Sequence, residues 1–514
     1  MRSARHSPVC GPILAELCPL SHRSEFERCL YQAGGYVLAT LIGGFRREWT
    51  TVLVVYFCYG ASAITGIAEV FFQKETLGLS PAEVSGIGFW MLLPWSMKMV
   101  VGVAADVHPL FGSRRIAWLL MGCAMTFAGY LSLATIVDGK TSYLVASLLT
   151  VIGLMVQDVI ADAMSVEVVE TEEEQSQLQT LGRMALLVGG VSVGYLSGVL
   201  AGAIGVRNVY ALASVLPLLV PLSLLITRTG RPSLRAITAD RVAARDLLGS
   251  GNARLVVGIG LAYAAISVML EAWAVPYGQA MVLAVSLALI SFLLWRLGLT
   301  REIAIAAVVI FLFRATPDVG QGYSYWAIDE LGFDQKFLGI LAQVSSILSL
   351  LGLLVFRKYI VSMPVSFTLG WVAIVSSVLY LPNIGLFYGL HDWLGISART
   401  LAFIDTSISA PLGQLTMVPM LILTARAASP GAEATMFAVM ASLMNLALSA
   451  SQLFTSYLND AFQITRSDFS NLGQLMVAVV IIGILPLAAL PLLRKVERGG
   501  EIRINALKHA EVPR

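Results

Sequence analysis

The sequence predicts an all-α protein that crosses a membrane many times. Of its 514 residues, 57% are hydrophobic and 13% are charged, and the mean hydropathy is +0.79. Soluble proteins carry about 25% charged residues, roughly twice this share. Apolar runs of about 20 residues, the length that a helix needs to cross ~30 Å of hydrocarbon, recur along the chain. Lipid offers no partner to open backbone groups, so each run is predicted to be a helix.

About 14 transmembrane helices are predicted, in groups of six, two and six. In order, the predicted spans are 50–72, 82–104, 116–137, 141–164, 180–203, 207–227, 254–274, 278–297, 302–327, 335–356, 365–382, 398–424, 432–458 and 470–493. The domains that follow are a cytoplasmic extension (1–48), a six-helix half (49–228), a basic cytoplasmic loop with an inserted transmembrane hairpin (229–300), a second six-helix half (301–494) and a cytoplasmic tail (495–514). The extension lacks the residue order of a signal peptide.

The positions of lysine and arginine predict the orientation. With fourteen spans, every cluster of these residues falls on one side, including the arginine-rich loop at about 228–254. Positive loops stay in the cytoplasm, so both termini are predicted to be cytoplasmic, in the plasma (cell inner) membrane. An organelle membrane is the alternative if the extension is a targeting segment.

An internal repeat supports two related halves. The stretch FCYGASAITGIAEVFFQKETLGLS (57–80) aligns with FLFRATPDVGQGYSYWAIDELGFD (311–334) at an offset of 254 residues. Each copy is followed by a new helix with a predicted N-cap, Ser80 in the first and Asp334 in the second. Parallel repeats of this kind are typical of transporters.

The loop after the second span, GVAADVHPLFGSRR (102–115), resembles the loop motif of the major facilitator superfamily. Its candidate gating residues are Gly102, Asp106, Gly112, Arg114 and Arg115. A glycine would let two helices approach closely, and the aspartate and arginines could pair at helix ends. The alternative is an ordinary positive cytoplasmic loop.

Several charges fall inside predicted spans, where each costs ~2.5–3.5 kcal/mol at mid-bilayer and therefore needs a cavity or a partner. They are Glu69, Lys98, Asp158, Asp162, Arg314 and Asp318. Asp158 and Asp162 are four residues apart, as are Arg314 and Asp318, so each pair is predicted to share a helix face. Pro317 is expected to break the helix beside Asp318. The alternative role for these charges is an ion-pair network that fixes helix register.

Together these stretches resemble the folate–biopterin transporter family of the major facilitator superfamily. The resemblance rests on QDVIADAMSVE (157–167), FRATPD (313–318) and SPGAEATMFAVMASLMN (429–445). It implies the major facilitator fold and uptake of folates or pterins by alternating access, often coupled to protons.

A folate is an anion with a flat, hydrogen-bonding ring, and this chemistry suggests a role for each candidate residue. Arg314 is expected to bind the carboxylate through its guanidinium fork. Asp162, Asp158 or Asp318 is expected to bond the ring nitrogens, with Tyr323 and Phe311 stacking on the ring. Asp158 or Glu69 is expected to take the coupling proton.

Other function classes find less support. No basic, aromatic-rich patch predicts nucleic-acid binding, and the scattered cysteines and histidines predict neither a metal site nor a cofactor. An enzyme would need a nucleophile–base or metal constellation, and a receptor would need a sizeable exterior domain. The remaining alternative is a major facilitator carrier or exporter for another small organic anion. The expected partners are the substrate, protons and the lipid bilayer.

Overall fold

The computed structural model describes residues 45–227, 252–412, 415, 417–426 and 433–497, and these ranges are helical apart from turns and one isolated bridge, Leu110–Ser113. Within them, 11 helices are long and apolar enough to cross a membrane, or 12 if a pair bent by 44° counts as one span. These observations confirm the predicted all-α polytopic fold. The extension at 1–44, the loop at 228–251 and the tail from 498 lie outside the described residues.

Nine α-helices lie between residues 49 and 227 of the described chain, within the predicted first half. Its helices are α1 (Trp49–Ala61), α2 (Gly66–Phe71), α3 (Pro81–Ser96), α4 (Lys98–Val107), α5 (Ile116–Thr135), α6 (Lys140–Glu167), α7 (Glu172–Ile204), α8 (Val206–Ala213) and α9 (Leu219–Thr227). A 3₁₀ turn over Ser62–Thr65 joins α1 to α2, and a π turn over Phe72–Thr76 ends that span. The bent pair is α3 and α4, which part at Met97 three residues after Pro94.

The remaining described α-helices lie between residues 252 and 484, in the predicted hairpin and second half. The hairpin consists of α10 (Asn252–Ala272) and α11 (Gly278–Arg296). The second half holds α12 (Arg301–Arg314), α13 (Gln321–Asp329), α14 (Gln335–Ser362), α15 (Val365–Leu379), α16 (Leu381–Phe387), α17 (Leu390–Trp393), α18 (Ala398–Ser409), α19 (Met417–Arg426), α20 (Glu433–Ala461) and α21 (Leu472–Ile484).

Two predicted spans, 302–327 and 398–424, are broken rather than continuous helices. In the first, α12 ends at Arg314 and α13 begins only at Gln321. Pro317 lacks a backbone N–H, and Gly320 has φ +63° and ψ −152°, a conformation open almost only to glycine. In the second, a 3₁₀ turn over Ala410–Leu412 ends α18.

The two copies of the repeat share their irregularities. The 3₁₀ turn at Ser62–Thr65 aligns with the non-helical residues 316–319. Further along, Gly78 (φ +65°) aligns with Gly332 (φ +62°), and both adopt the left-handed conformation. Both N-caps form as predicted: Ser80 makes a capping box with Glu83, and the Asp334 side chain accepts from the Phe337 N–H.

The halves meet along two helix pairs, α3 with α20 and α7 with α14. In the first pair, Ser456 Oγ donates to Ala82 O (2.8 Å), and Asn445 Nδ2 donates to Trp95 O (3.0 Å). The second pair is tight because glycines line it. An ideal Cβ on Gly198 would lie 2.2 Å from Gln335 O, closer than any real contact. We call these two contacts the seam.

Candidate functional site

In the described part of the chain, two cavities are lined by residues that the sequence predicted to belong to the site. The first cavity, of about 550 Å³, is partly open and is lined by residues of the first half. It is lined by Tyr59, Gly60, Ser62, Ala63, Thr65, Gly66, Glu69, Met91, Tyr130, Leu133, Tyr143, Ser147, Thr150, Val151, Leu154, Arg183, Leu186 and Tyr210. The second cavity, of about 370 Å³, lies at the seam and takes residues from both halves. It is lined by Val84, Ser85, Asp318, Val319, Gly320, Gln321, Tyr323, Ser324, Tyr380, Asn383 and Gln452.

Glu69 holds the carboxylate of the first cavity. Its Oε1 accepts from the Tyr143 hydroxyl (2.6 Å) and from Gln73 Nε2 (3.2 Å). Gln73 Nε2 also donates to the Tyr143 hydroxyl (2.8 Å). Both donors are neutral, so Glu69 can gain or lose a proton without breaking an ion pair.

Arg183 is the cation of the first cavity. It lies on α7, its side chain is exposed, and it lines the cavity wall. Within the described part of the chain, no carboxylate forms an ion pair with it.

The two aspartates of α6 have separate partners in the first half. Asp158 is buried and forms an ion pair with Lys98 of α4. Asp162 accepts a hydrogen bond from the Tyr56 hydroxyl of α1. Lys98 also lies over the Trp95 ring, 5.0 Å from its centroid. Lys98 and Asp158 therefore form an ion pair between helices, the alternative role considered for the charges in the spans. Neither aspartate lines the first cavity.

The second cavity presents carboxylate and amide groups. Asp318 Oδ1 accepts from the Gly320 N–H (2.7 Å), while its own N–H donates to Thr455 Oγ1 (3.0 Å). The Asn383 amide donates to Asp405 Oδ2 (2.8 Å), which fixes its orientation. Asp318 itself is exposed in this cavity.

Arg314 and Asp318 do not share a helix face, contrary to the prediction. The helix ends at Arg314, and the backbone from 315 to 320 is not helical, so the four-residue spacing no longer aligns them. Arg314 is half-buried, and its Nε is a buried donor without a hydrogen-bond partner among the described residues. No described carboxylate pairs with it.

The predicted substrate-binding residues are therefore divided in space. Asp318 and Tyr323 line the second cavity. Arg314, Phe311 and Asp162 line neither cavity, and Phe311 packs against the hydrophobic core. Of the predicted proton-coupling residues, Glu69 lines the first cavity and Asp158 does not.

The loop motif forms an ion-pair cluster. Arg115 bridges Asp106 (2.8 Å) at the end of α4 and Glu167 (2.7 Å) at the end of α6. Burial lowers the pKa of Arg115, but the hydrogen bonds and charges of Glu167 and Asp106 outweigh it and hold the pKa above its ordinary value. Arg114, beside it, is half-buried.

The two loop glycines differ. Gly112 has φ +83°, which favours glycine. Gly102 does not need to be glycine, because a Cβ there would lie 3.7 Å from Val159 Cγ1, an ordinary contact.

Sequence reasoning assigned no role to Arg183 or to the tyrosines of the first cavity. The tyrosines Tyr59, Tyr130, Tyr143 and Tyr210 come from four different spans. Each of these tyrosines is one of several polar residues inside an apolar run, and only the fold brings the four together. Within the described ranges, no cluster of three or more His, Cys, Asp or Glu side chains could hold a metal ion.

Comparison with known families gives one profile match. The profile of the BT1 family matches residues 60–504.

Curated relatives match over most of their length. The chain is 30% identical over 448 residues to a protein of Synechocystis sp. named "Folate-biopterin transporter", covering 87% of this chain and 81% of that protein. It is 22% identical over 473 residues to "Folate transporter 2" of Plasmodium falciparum, covering 91% of each chain. It is also 24% identical over 468 residues to "Probable folate-biopterin transporter 4" of Arabidopsis thaliana, covering 87% of this chain and 95% of that protein.

Solved structures of transporters share the fold. A POT family transporter in complex with 5-aminolevulinic acid superposes with a TM-score of 0.62 at 13% identity, covering 87% of this chain and 95% of that chain. The peptide transporter POT in complex with sulfate gives a TM-score of 0.60 at 18% identity, covering 88% and 95%. The likeness concerns the fold alone, and it agrees with the predicted major facilitator architecture.

Proposed function

Because the chain belongs to the BT1 family and is an integral membrane transporter, we propose that it carries folate- or pterin-type planar anions across the membrane. Relatives that match most of this chain bear the names folate-biopterin transporter and folate transporter. We propose that it works as an importer with both termini in the cytoplasm, as the positive loops favour.

The proposal of an anionic substrate rests on the Arg314 guanidinium, which has no ion pair among the described residues. A charge inside a span costs ~2.5–3.5 kcal/mol on insertion scales, so we expect a partner or a ligand to compensate it. Arg314 has no described ion pair, and its Nε lacks a hydrogen-bond partner. A carboxylate would satisfy this group through the two-pronged geometry that guanidinium offers.

The second cavity supports recognition of a flat, hydrogen-bonding ring. Asp318 Oδ1 is held by the Gly320 N–H, and no described residue donates to its Oδ2. That oxygen could accept from the amino and ring N–H groups of a pterin. Tyr323 and Tyr380 line the same cavity and offer aromatic faces.

Glu69 is a better candidate than Asp158 for the coupling proton. Asp158 is paired with Lys98, so protonating it would leave a lysine uncompensated. Glu69 has only neutral donors and lines the first cavity. Alternating access would open and close the seam between the halves.

The test is uptake of labelled folic acid by cells that express the chain. Wild type should accumulate folic acid, and Arg314→Gln should lower uptake by about 10-fold or more, since a hydrogen bond to a charged group contributes ~1.5–3 kcal/mol. Arg301→Gln is the matched control, because Arg301 is an exposed arginine at the start of the same helix. Surface amounts of the three proteins must be equal.

Two outcomes would change the proposal. If Arg314→Gln transports folic acid as wild type does, Arg314 is not the carboxylate site. If the wild type moves no folate or pterin in either direction, the substrate class is wrong. Another small organic anion would then be sought by competition.

A further inference from the structure

We infer that Arg183 is a second anion-binding residue, so that the preferred substrate carries two negative groups. This inference rests on the proposed function and narrows its substrate class. Among planar pterin compounds, a folate ends in glutamate and carries two carboxylates, pteroic acid carries one, and biopterin carries none. A second anion-binding residue at Arg183 would favour the dicarboxylate.

Arg183 differs from three other cations in the spans of the first half. Lys74 pairs with Asp329 (2.6 Å), Lys98 pairs with Asp158, and Arg207 donates to Val137 O (2.6 Å). Arg183 alone among these four span residues has no ion pair or hydrogen bond within the described ranges. A cation in a span is costly unless something compensates it.

The two aspartates of α6 already have other partners. Asp158 is held by Lys98, and Asp162 accepts from the Tyr56 hydroxyl. Arg183 is near enough to Asp162 for their charges to interact, yet it forms no contact ion pair with Asp162. The structural alternative, an Arg183–Asp162 bridge that fixes the helices, is therefore not formed here.

The cavity that Arg183 lines is large enough for a small molecule. The cavity of about 550 Å³ lies within the ~300–1,000 Å³ typical of small-molecule sites. Tyr59, Tyr130 and Ser147 line the same cavity, and their hydroxyl groups are of a type that can donate to an anion. Glu69 is the carboxylate of this wall, and protonating it would remove the repulsion between it and the incoming anion.

The experiment compares labelled folic acid, pteroic acid and biopterin in wild type, Arg183→Gln and Arg183→Lys. The measured quantity is kcat/KM for folic acid divided by that for biopterin. Arg183→Gln should lower this ratio by about 10-fold or more, mainly through a higher KM for folic acid, because one charge-assisted contact is lost. Arg183→Lys keeps the charge and should restore part of the ratio.

An unchanged ratio in Arg183→Gln would overturn the inference, whether uptake stays the same or falls equally for all compounds. An equal fall would assign Arg183 to helix packing. Pteroic acid should be affected less than folic acid if the second carboxylate is the group that Arg183 binds.

A binding assay keeps this inference separate from the proposed function. Thermal stabilisation of the purified full-length chain is measured with p-aminobenzoyl-glutamate, a dianion, and with p-aminobenzoate, a monoanion. Wild type should be stabilised more by the dianion, and Arg183→Gln should lose that difference. The proposed function fails if wild type transports no folate or pterin. This inference fails if the dianion confers no extra stability or if Arg183→Gln retains it.

Discussion

At the scale of single residues, four cations inside the spans fall into two groups, paired and unpaired. Lys98 and Lys74 each have a carboxylate partner, Asp158 and Asp329 respectively. The arginines Arg183 and Arg314 have none among the described residues. Paired charges fix helices against one another, whereas unpaired arginines are suited to bind an anion.

The Lys98–Asp158 pair should behave as a coupled unit. Lys98→Gln and Asp158→Asn are each expected to destabilise the purified protein by about 1–3 kcal/mol, because each leaves a charge in the span without its partner. The double variant should lose less than the sum, since neither charge remains. The melting temperatures of the four proteins measure this coupling, and additive losses would show that the two charges are independent.

The candidate site shows which residue roles could be read from the sequence. Charged residues inside apolar runs were visible, and so was Pro317 as a helix breaker. The partners of Asp158 and Asp162 lie on other spans, so only the fold could reveal them. Arg183 was visible as a charge but not as part of a cavity, because its neighbours come from distant segments.

At the scale of elements, the break in the first span of the second half depends on Gly320. A side chain there would need φ near +63° and would lie 2.9 Å from Thr455 Cγ2. Its counterpart in the repeat, Gly66, has negative φ and no neighbouring atom within 4 Å of an added Cβ. The two aligned glycines therefore differ: Gly320 has no room for a side chain, whereas Gly66 has room for one.

Gly320→Ala should therefore destabilise the protein, by about 1–3 kcal/mol, while Gly66→Ala should cost little. The melting temperature and the folded yield of the two purified variants check this. Equal effects of the two substitutions would mean that the backbone at Gly320 relaxes without strain.

The close contact of α7 with α14 at the seam should be needed for transport. Gly198→Val should lower transport strongly, by about 10-fold or more, because its side chain cannot fit against the α14 backbone. Gly202→Ala is the control one turn along, where a Cβ meets Gln335 at an ordinary 3.8 Å. Uptake is measured at equal surface amounts. Normal uptake by Gly198→Val would show that this contact does not have to form during transport.

Most elements could be predicted from the sequence, because apolar length defines a span and capping residues define its start. Ser80 and Asp334 cap helices where their patterns predicted. The break near Pro317 in 302–327 was expected from the proline and is confirmed. The break near Pro411 in 398–424 was not expected, because apolar composition does not report it. Gly102 shows a further limit, since a glycine in a motif does not prove a close helix contact.

At the scale of the whole molecule, an ion pair among the described residues links the halves across the aligned ends of the repeat. Lys74, which is buried, pairs with Asp329, which is exposed, at 2.6 Å. Lys74 also lies over the Tyr325 ring, 5.5 Å from its centroid. This pair is present only while these segments of the two halves are together, so it should favour that arrangement.

Lys74→Gln should loosen this contact between the halves. Hydrogen–deuterium exchange in peptides covering 72–80 and 326–333 should become about 10-fold faster, because loss of a partly buried pair costs on the order of 1–3 kcal/mol. Combining Lys74→Asp with Asp329→Lys should restore part of the protection. Lys140→Gln is the control, because its pair with Glu83 is exposed at both ends and lies within one half. Exchange in Lys74→Gln equal to wild type would contradict this role.

Transport of a folate- or pterin-type anion is best measured with the purified chain in proteoliposomes. Labelled folic acid should accumulate above protein-free liposomes, and a proton gradient directed inward should increase the accumulation. Arg314→Gln, reconstituted at the same density, should accumulate about 10-fold less. If wild type moves neither folic acid, pteroic acid nor biopterin at any pH gradient, the chain is not a carrier of this substrate class.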